Sequence, residues 1–177
     1  SPECFFTKRG ETLACRPMKG TAARGHTQEE DDVYRSELQH SPKDQAENIM
    51  IVDMIRNDLG RIALTGSIDT DEVFTVEKYP TLFQMTSTVT AQTKATLPGI
   101  MSALFPCASI TGAPKVRTMQ IIRELESRPR GVYTGCIGAA FPDGSAHFNV
   151  AIRTVQIDRR RQQAVYNTGA GIVWDSA

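Results

Sequence analysis

Lys19 sits in the turn Pro17-Met18-Lys19-Gly20-Thr21, where the glycine lets backbone approach a ligand. A lysine desolvated at a sheet edge becomes a nucleophile, but most lysines stay solvated and the turn alone is a weak signal. Glu47 lies in Ala46-Glu47-Asn48-Ile49-Met50-Ile51-Val52 and follows Asp44 by three positions. On a helix these two carboxylates share one face beside an apolar stripe, and such oxygens suit a hard cation such as magnesium. Acidic residues near a helix start also complement its dipole, and spacing alone favours that plainer role.

Two segments could hold an anion. Ser109-Ile110-Thr111-Gly112-Ala113-Pro114-Lys115 offers the hydroxyls of Ser109 and Thr111 together with free amides at a helix start. Gly169-Ala170-Gly171 is a backbone-exposing turn with the same kind of donor. Either one alone also reads as an ordinary turn or cap. Arg153 falls in the middle of a predicted strand, where a buried charge demands a carboxylate from protein or substrate. Tyr133, at the start of the neighbouring predicted strand, could donate a hydrogen bond beside it. Together these residues describe a pocket for a small dicarboxylate with a divalent metal.

The elements that must position them are legible in outline. Residues 4–7 and 11–16 flank Lys8-Arg9-Gly10 and read as a hairpin whose exit delivers the Lys19 turn. Residues 27–43 are polar and acidic, a solvated loop or helix with no chemistry attached. Ser41-Pro42-Lys43-Asp44 starts a helix over 42–59, with Ile49, Val52, Ile55 and Leu59 at helical spacing. Residues 73–76 and 83–91 are predicted strands, the second unusually polar at Ser87, Thr88 and Thr90. Pro114 opens a second amphipathic helix with Val116, Met119, Ile122 and Leu125 on one face. Residues 133–141, 146–158 and 163–168 then predict a three-strand antiparallel run. Blocks of strands and helices, without strict βαβ alternation, point to an α+β fold in one unit.

Composition narrows the function classes. The 177 residues are 40% apolar and 23% charged, as in an ordinary soluble protein. Twenty basic residues balance twenty acidic ones, so no broad basic field draws nucleic acid or anionic membrane, and a small-molecule partner is expected. Cys4, Cys15, Cys107 and Cys136 are scattered without metal or redox spacing and read as reduced thiols. No stretch has the length of a membrane span and no leader is visible, so the expected address is the cytoplasm.

Read as whole strings, Ser-Pro-Glu-Cys-Phe, Pro-Met-Lys-Gly-Thr, Ala-Glu-Asn-Ile-Met-Ile-Val-Asp-Met-Ile-Arg-Asn-Asp, Ile-Thr-Gly-Ala-Pro-Lys and Gly-Ala-Gly-Ile-Val resemble the chorismate-utilising enzymes, in that family's order and across essentially the whole chain. The resemblance implies a two-sheet α/β/β/α sandwich, of which this chain is the C-terminal part, with residues 1–177 forming a chorismate-binding catalytic domain. Members of the family make anthranilate, 4-amino-4-deoxychorismate, isochorismate or salicylate. A lysine in the Pro-x-Lys-Gly-Thr turn is typical of those that aminate ring carbon 4, whereas anthranilate- and isochorismate-forming members usually have alanine there.

By that resemblance, magnesium bridges Glu47 and the ring carboxylate of chorismate, Glu3 protonates the departing 4-hydroxyl, and Lys19 attacks carbon 2 to form a covalent intermediate. Ammonia, supplied by a glutamine amidotransferase partner, then enters at carbon 4 and expels Lys19, in the folate pathway. Tyr133 and Arg153 match holders of a substrate carboxylate, and Gly169 to Gly171 match an amide-donating turn. Gly20 and Thr21 match a substrate wall, and Ser109 and Thr111 are further candidate contacts. Gln84 stands where many relatives place histidine; it hydrogen-bonds but takes no proton near neutral pH. Addition of ammonia at carbon 2, giving anthranilate, is the alternative chemistry, and a non-catalytic remnant is the alternative class. Both chain ends look abrupt, so the resemblance further implies a piece that lacks the family's N-terminal half and last motif, is inactive alone and exposes core surface.

Overall fold

The computed structural model describes residues 3–172; Ser1, Pro2 and Val173, which belong to two of the motif strings, lie outside them. In chain order the elements are β1 (Cys4–Arg9), β2 (Thr12–Arg16), β3 (Met18–Ala23), α1 (Gln28–His40), α2 (Pro42–Gly60), β4 (Asp69–Lys78), β5 (Leu82–Gln92), α3 (Leu97–Leu104), a 3-10 turn (Ala108–Ile110), α4 (Lys115–Leu125), β6 (Cys136–Ala140), β7 (Ala146–Val150), β8 (Val155–Asp158) and β9 (Gln163–Tyr166). Seven strands form one antiparallel sheet in the order β3-β5-β2-β1-β7-β6, with β4 also paired to β5. β8 and β9 form a separate two-stranded sheet. The α+β expectation with two sheets is therefore met.

The first hairpin forms because Gly10 takes φ +58 between the two strands, a left-handed conformation that costs glycine nothing in sterics. α2 forms where its caps predict: Ser41 Oγ accepts from the Asp44 N–H at 3.3 Å and Pro42 fills the first turn. Its Ile51, Val52, Ile55 and Leu59 pack with Phe6, Leu13 and Val89 of the sheet and with Ile100 and Leu104 of α3. Each such side chain contributes about 1.5–3 kcal/mol on burial. Ile49, expected on the same stripe, faces outward.

Several local readings change. The turn predicted at residues 17–21 is strand β3, held in the sheet by β5 far along the chain. α3 carries Pro98 and Gly99, and its eight residues give the sequence pattern too few turns to declare itself. The predicted strand 146–158 breaks after Val150: the Ile152 N–H donates back to the Val150 carbonyl at 2.9 Å, and Arg153 takes φ +50. Arg153 is therefore exposed in a left-handed break rather than mid-strand, and Tyr133 lies in a turn ahead of β6. The acidic run is mostly helix α1, with Thr27 Oγ1 capping the Glu30 N–H at 3.2 Å.

The apolar face of α4 forms at the predicted spacing but is unpacked among the described residues. Val116 is 70% and Leu125 79% exposed, and Ile137, Ile157 and Tyr166 are exposed on the strands that follow, with Phe141 exposed just past β6. No helix among the described residues is long and apolar enough to cross a membrane. All four cysteines are free thiols, and burial pushes Cys107 up to about 12.

Candidate active site

Lys19 occupies an irregularity in β3. Met18 pairs with Thr86 and Thr21 with Gln84, so Lys19 and Gly20 together stand opposite the single residue Met85. That two-against-one count is a β-bulge, which re-aims side chains locally. Gly20 takes φ +91, and a Cβ built on it would lie 3.0 Å from Asp44 Cβ and 3.1 Å from Leu38 Cδ1. Both the dihedral and the neighbours require glycine here. Gly20→Ala is expected to destabilise the fold by about 1–3 kcal/mol, read as a lower urea midpoint.

Gln84 is buried directly across from Thr21. Its Nε2 donates to the Gly20 carbonyl at 2.6 Å, and its Oε1 accepts from Thr21 Oγ1 at 3.1 Å. Lys19 is itself half-buried. It lies close enough to Glu3, at the head of β1, to act on that carboxyl electrostatically, and so does Arg153.

Glu3 is 5% exposed, and its Oε1 has no hydrogen-bond partner among the described residues. Burial raises its pKa above the ordinary carboxylate value, a shift opposed by a hydrogen bond with the Ser109 side chain and by the charges of Lys19 and Arg153. A carboxyl so placed keeps its proton to higher pH and presents an unspent oxygen, which is what a general acid requires.

α2 brings Glu47 to the same region. Its Asp44 touches the bulge at Gly20, and Glu47, half-buried, lies three residues on along the same face. Glu47 makes no ion pair or hydrogen bond among the described residues, and no group of three His, Cys, Asp or Glu side chains that could hold a metal exists among them. Magnesium keeps several waters and takes one or two carboxylates together with substrate oxygens, so Glu47 fits as one ligand of such an ion.

Two buried pairs that sequence reasoning missed fix these elements. Asn48, next to Glu47 and fully buried, accepts from Ser87 Oγ at 2.5 Å, and the Ser87 N–H donates to the Pro17 carbonyl at 3.2 Å. The polarity noticed at Ser87 serves this bond, which ties α2 and β5 to the start of the Lys19 strand. Lys115 Nζ bonds Asp58 Oδ2 at 2.7 Å and the Leu104 carbonyl at 2.9 Å, anchoring the 105–114 loop that carries Ser109 onto α2. Lys115→Met leaves the buried Asp58 carboxylate unpaired and is expected to cost about 3 kcal/mol in chemical denaturation. Both residues lay inside quoted motif strings, which was the available signal.

The other candidates divide. Ser109 joins the cluster through Glu3, whereas Thr111 Oγ1 caps its own turn by donating to the Ala108 carbonyl at 3.1 Å. Tyr133 and Gly169 are brought together, since a Cβ on Gly169 would collide with the Tyr133 hydroxyl. Ala170 and Gly171 follow as exposed backbone. A cavity of about 390 Å³ beside the loop is lined by Ile110, Thr111, Met119, Ile122, Arg128 and Thr134 among others, and of the candidates it takes in Thr111 alone.

Comparison with known proteins agrees with this geometry. Residues 1–177 match the chorismate binding enzyme family. Aminodeoxychorismate synthase component 1 of Bacillus subtilis (strain 168) is 44% identical over 99% of this chain and 37% of that protein. Anthranilate synthase component 1 of Saccharolobus solfataricus is 40% identical over 99% of this chain and 42% of its own length. The crystal structure of anthranilate synthase component I from Streptococcus pneumoniae TIGR4 matches with a TM-score of 0.83 at 32% identity, covering 100% of this chain and 39% of that one. The chain thus spans about two-fifths of the length of such relatives. With the whole chain matched, and with the lysine strand, the buried glutamate and the α2 carboxylate gathered at one end of the sheet, this protein belongs to the chorismate-binding enzyme family.

Proposed function

We propose that this chain is part of the catalytic half of aminodeoxychorismate synthase component I, a transferase that converts chorismate and ammonia to 4-amino-4-deoxychorismate. The observation that carries the reading is Lys19 on the β3 bulge, within electrostatic range of the buried Glu3. Lys19 Nζ attacks ring carbon 2, the two ring double bonds shift, and the bond from carbon 4 to its hydroxyl breaks. Glu3 supplies the proton that lets the oxygen leave as water, because hydroxide is a poor leaving group. Ammonia then adds at carbon 4, the double bonds shift back, and the bond to Lys19 breaks. A covalent step divides one hard displacement into two easier ones.

Arg153 and Tyr133 hold a substrate carboxylate, with amides of Gly169, Ala170 and Gly171 beside it. Gly20 and Thr21 form one wall, and Ser109 and Thr111 line the loop side. Glu47 would hold a magnesium ion, which would supply positive charge that anchors and polarises the anionic substrate. A glutamine amidotransferase partner supplies ammonia, in p-aminobenzoate and folate synthesis, at a cytoplasmic address.

The likeness to anthranilate synthases supports a second reading, in which ammonia itself adds at carbon 2 as the double bonds shift and the 4-hydroxyl leaves as water, after which pyruvate is eliminated from carbon 3 with loss of the carbon 2 proton. Mass analysis decides: a protein of the relatives' full length containing this chain is given chorismate and ammonium. The product expected is 4-amino-4-deoxychorismate, which retains its three-carbon enol ether; anthranilate without that group would overturn the reading.

A further inference from the structure

We infer that Gln84 is a positioning residue, whose task is to hold the β3 bulge open so that Lys19 faces Glu3. The inference rests on the proposed role of Lys19. A bulge leaves one residue without its normal ladder partner, and side-chain direction in a strand alternates with every residue. If Lys19 and Gly20 slid into regular register, one flank of β3 would turn each side chain to the opposite face. Neither flank is free to do so. The upstream end is tied by the Ser87 N–H to the Pro17 carbonyl, and the downstream end runs in register from Thr21↔Gln84 to Ala23↔Leu82. The bulge absorbs the extra residue between them.

What replaces the missing ladder bond is the Gln84 amide. Its donor goes to the Gly20 carbonyl at 2.6 Å and its acceptor takes the Thr21 hydroxyl at 3.1 Å, so both polar ends are engaged within the bulge itself. Gln84 is 4% exposed, and from the other side Asp44 and Leu38 close on Gly20. The bulge is therefore clamped between two helices, α1 and α2, and an amide. Glutamine offers this donor and acceptor together at every pH. Neutral histidine also offers one of each and could serve, but it loses its acceptor when protonated.

The test uses Gln84→Met, which keeps volume and removes both bonds, and Gln84→His, which keeps one donor and one acceptor. In the full-length protein without substrate, Gln84→Met should shift the Gly20 and Thr21 amide resonances. It should also change reductive methylation of Lys19, relative to Lys8, by about threefold or more, while Gln84→His stays near the parent on both. If Gln84→Met does not fold, Thr21→Val removes one of the two bonds at an exposed position and should move both readouts in the same direction. In the full-length protein, Gln84→Met should lower kcat about tenfold or more with KM for chorismate within about twofold. Unchanged amide resonances and Lys19 labelling in a folded Gln84→Met, or a raised KM with unchanged kcat, would overturn the inference; the latter marks a substrate contact. The first two readouts need no chemistry, so they stand apart from the amination reading, whose own failure is the absence of a Lys19 adduct in unsubstituted protein.

Discussion

Lys19→Ala in a full-length protein containing this chain is expected to lower the rate of carbon-4 amination on the order of 10³-fold or more, since the covalent path closes with the loss of its nucleophile. Chorismate affinity should change little, because the amine contributes mainly to the transition state and the carboxylates are held elsewhere. Steady-state kinetics with saturating ammonium separates the two effects. A mutant that retains near-parental kcat would remove the covalent role.

Glu3→Gln is the second large effect. Its amide keeps the shape and can still bond Ser109, but it has no proton to give, so kcat should fall by about 10²–10⁴-fold. Stability should move the other way. The folded-state pKa of Glu3 is raised above its ordinary value of 4.5, chiefly by burial, so the folded state binds the proton more tightly than the unfolded chain does. Its contribution is most favourable below the unfolded pKa and is lost as pH rises through the raised folded value. Glu3→Gln should therefore be more stable than the parent near neutral pH, with the advantage gone at about pH 4. Urea denaturation at the two pH values checks this, and a variant less stable at neutral pH would contradict a carboxyl whose charged form is disfavoured by burial.

How much of this was readable depended on how local the cause was. The hairpin, α2 and β5 declared themselves through Gly10, the Ser41-Pro42 cap and β-branched runs, which act within a few residues. β3 did not, because Pro17 and Gly20 spell a turn, and the strand exists only through pairing with β5 some sixty residues later. The break at Arg153 had no such punctuation: a non-glycine residue at φ +50 gives no sequence signal. α1 could have been read from Thr27 and Glu30, a capping-box pair. Its buried Asp31, paired with Arg24 at 2.5 Å and Lys78 at 2.9 Å, was hidden in an apparently solvated acidic run.

The site divides in the same way. Glu47 and the Lys19 turn were suggested by residue type and spacing, which is local information. Glu3 was found only through family resemblance. Its burial, its bond to Ser109 and its proximity to Lys19 and Arg153 are tertiary facts that no window around Ser-Pro-Glu could carry. Among the described residues, apolar side chains on α4, β6, β8 and β9 stand exposed, Val116, Ile137, Ile157 and Tyr166 among them.

The central claim is tested most directly by trapping the intermediate. The full-length protein would be mixed with chorismate and magnesium while ammonia is withheld, quenched in acid and digested, and its peptides weighed. The account predicts one adduct, with the mass of chorismate less one water, on the peptide containing Lys19, and none in Lys19→Ala. Product formation on adding ammonia without any such adduct, or an adduct on another lysine, would contradict it.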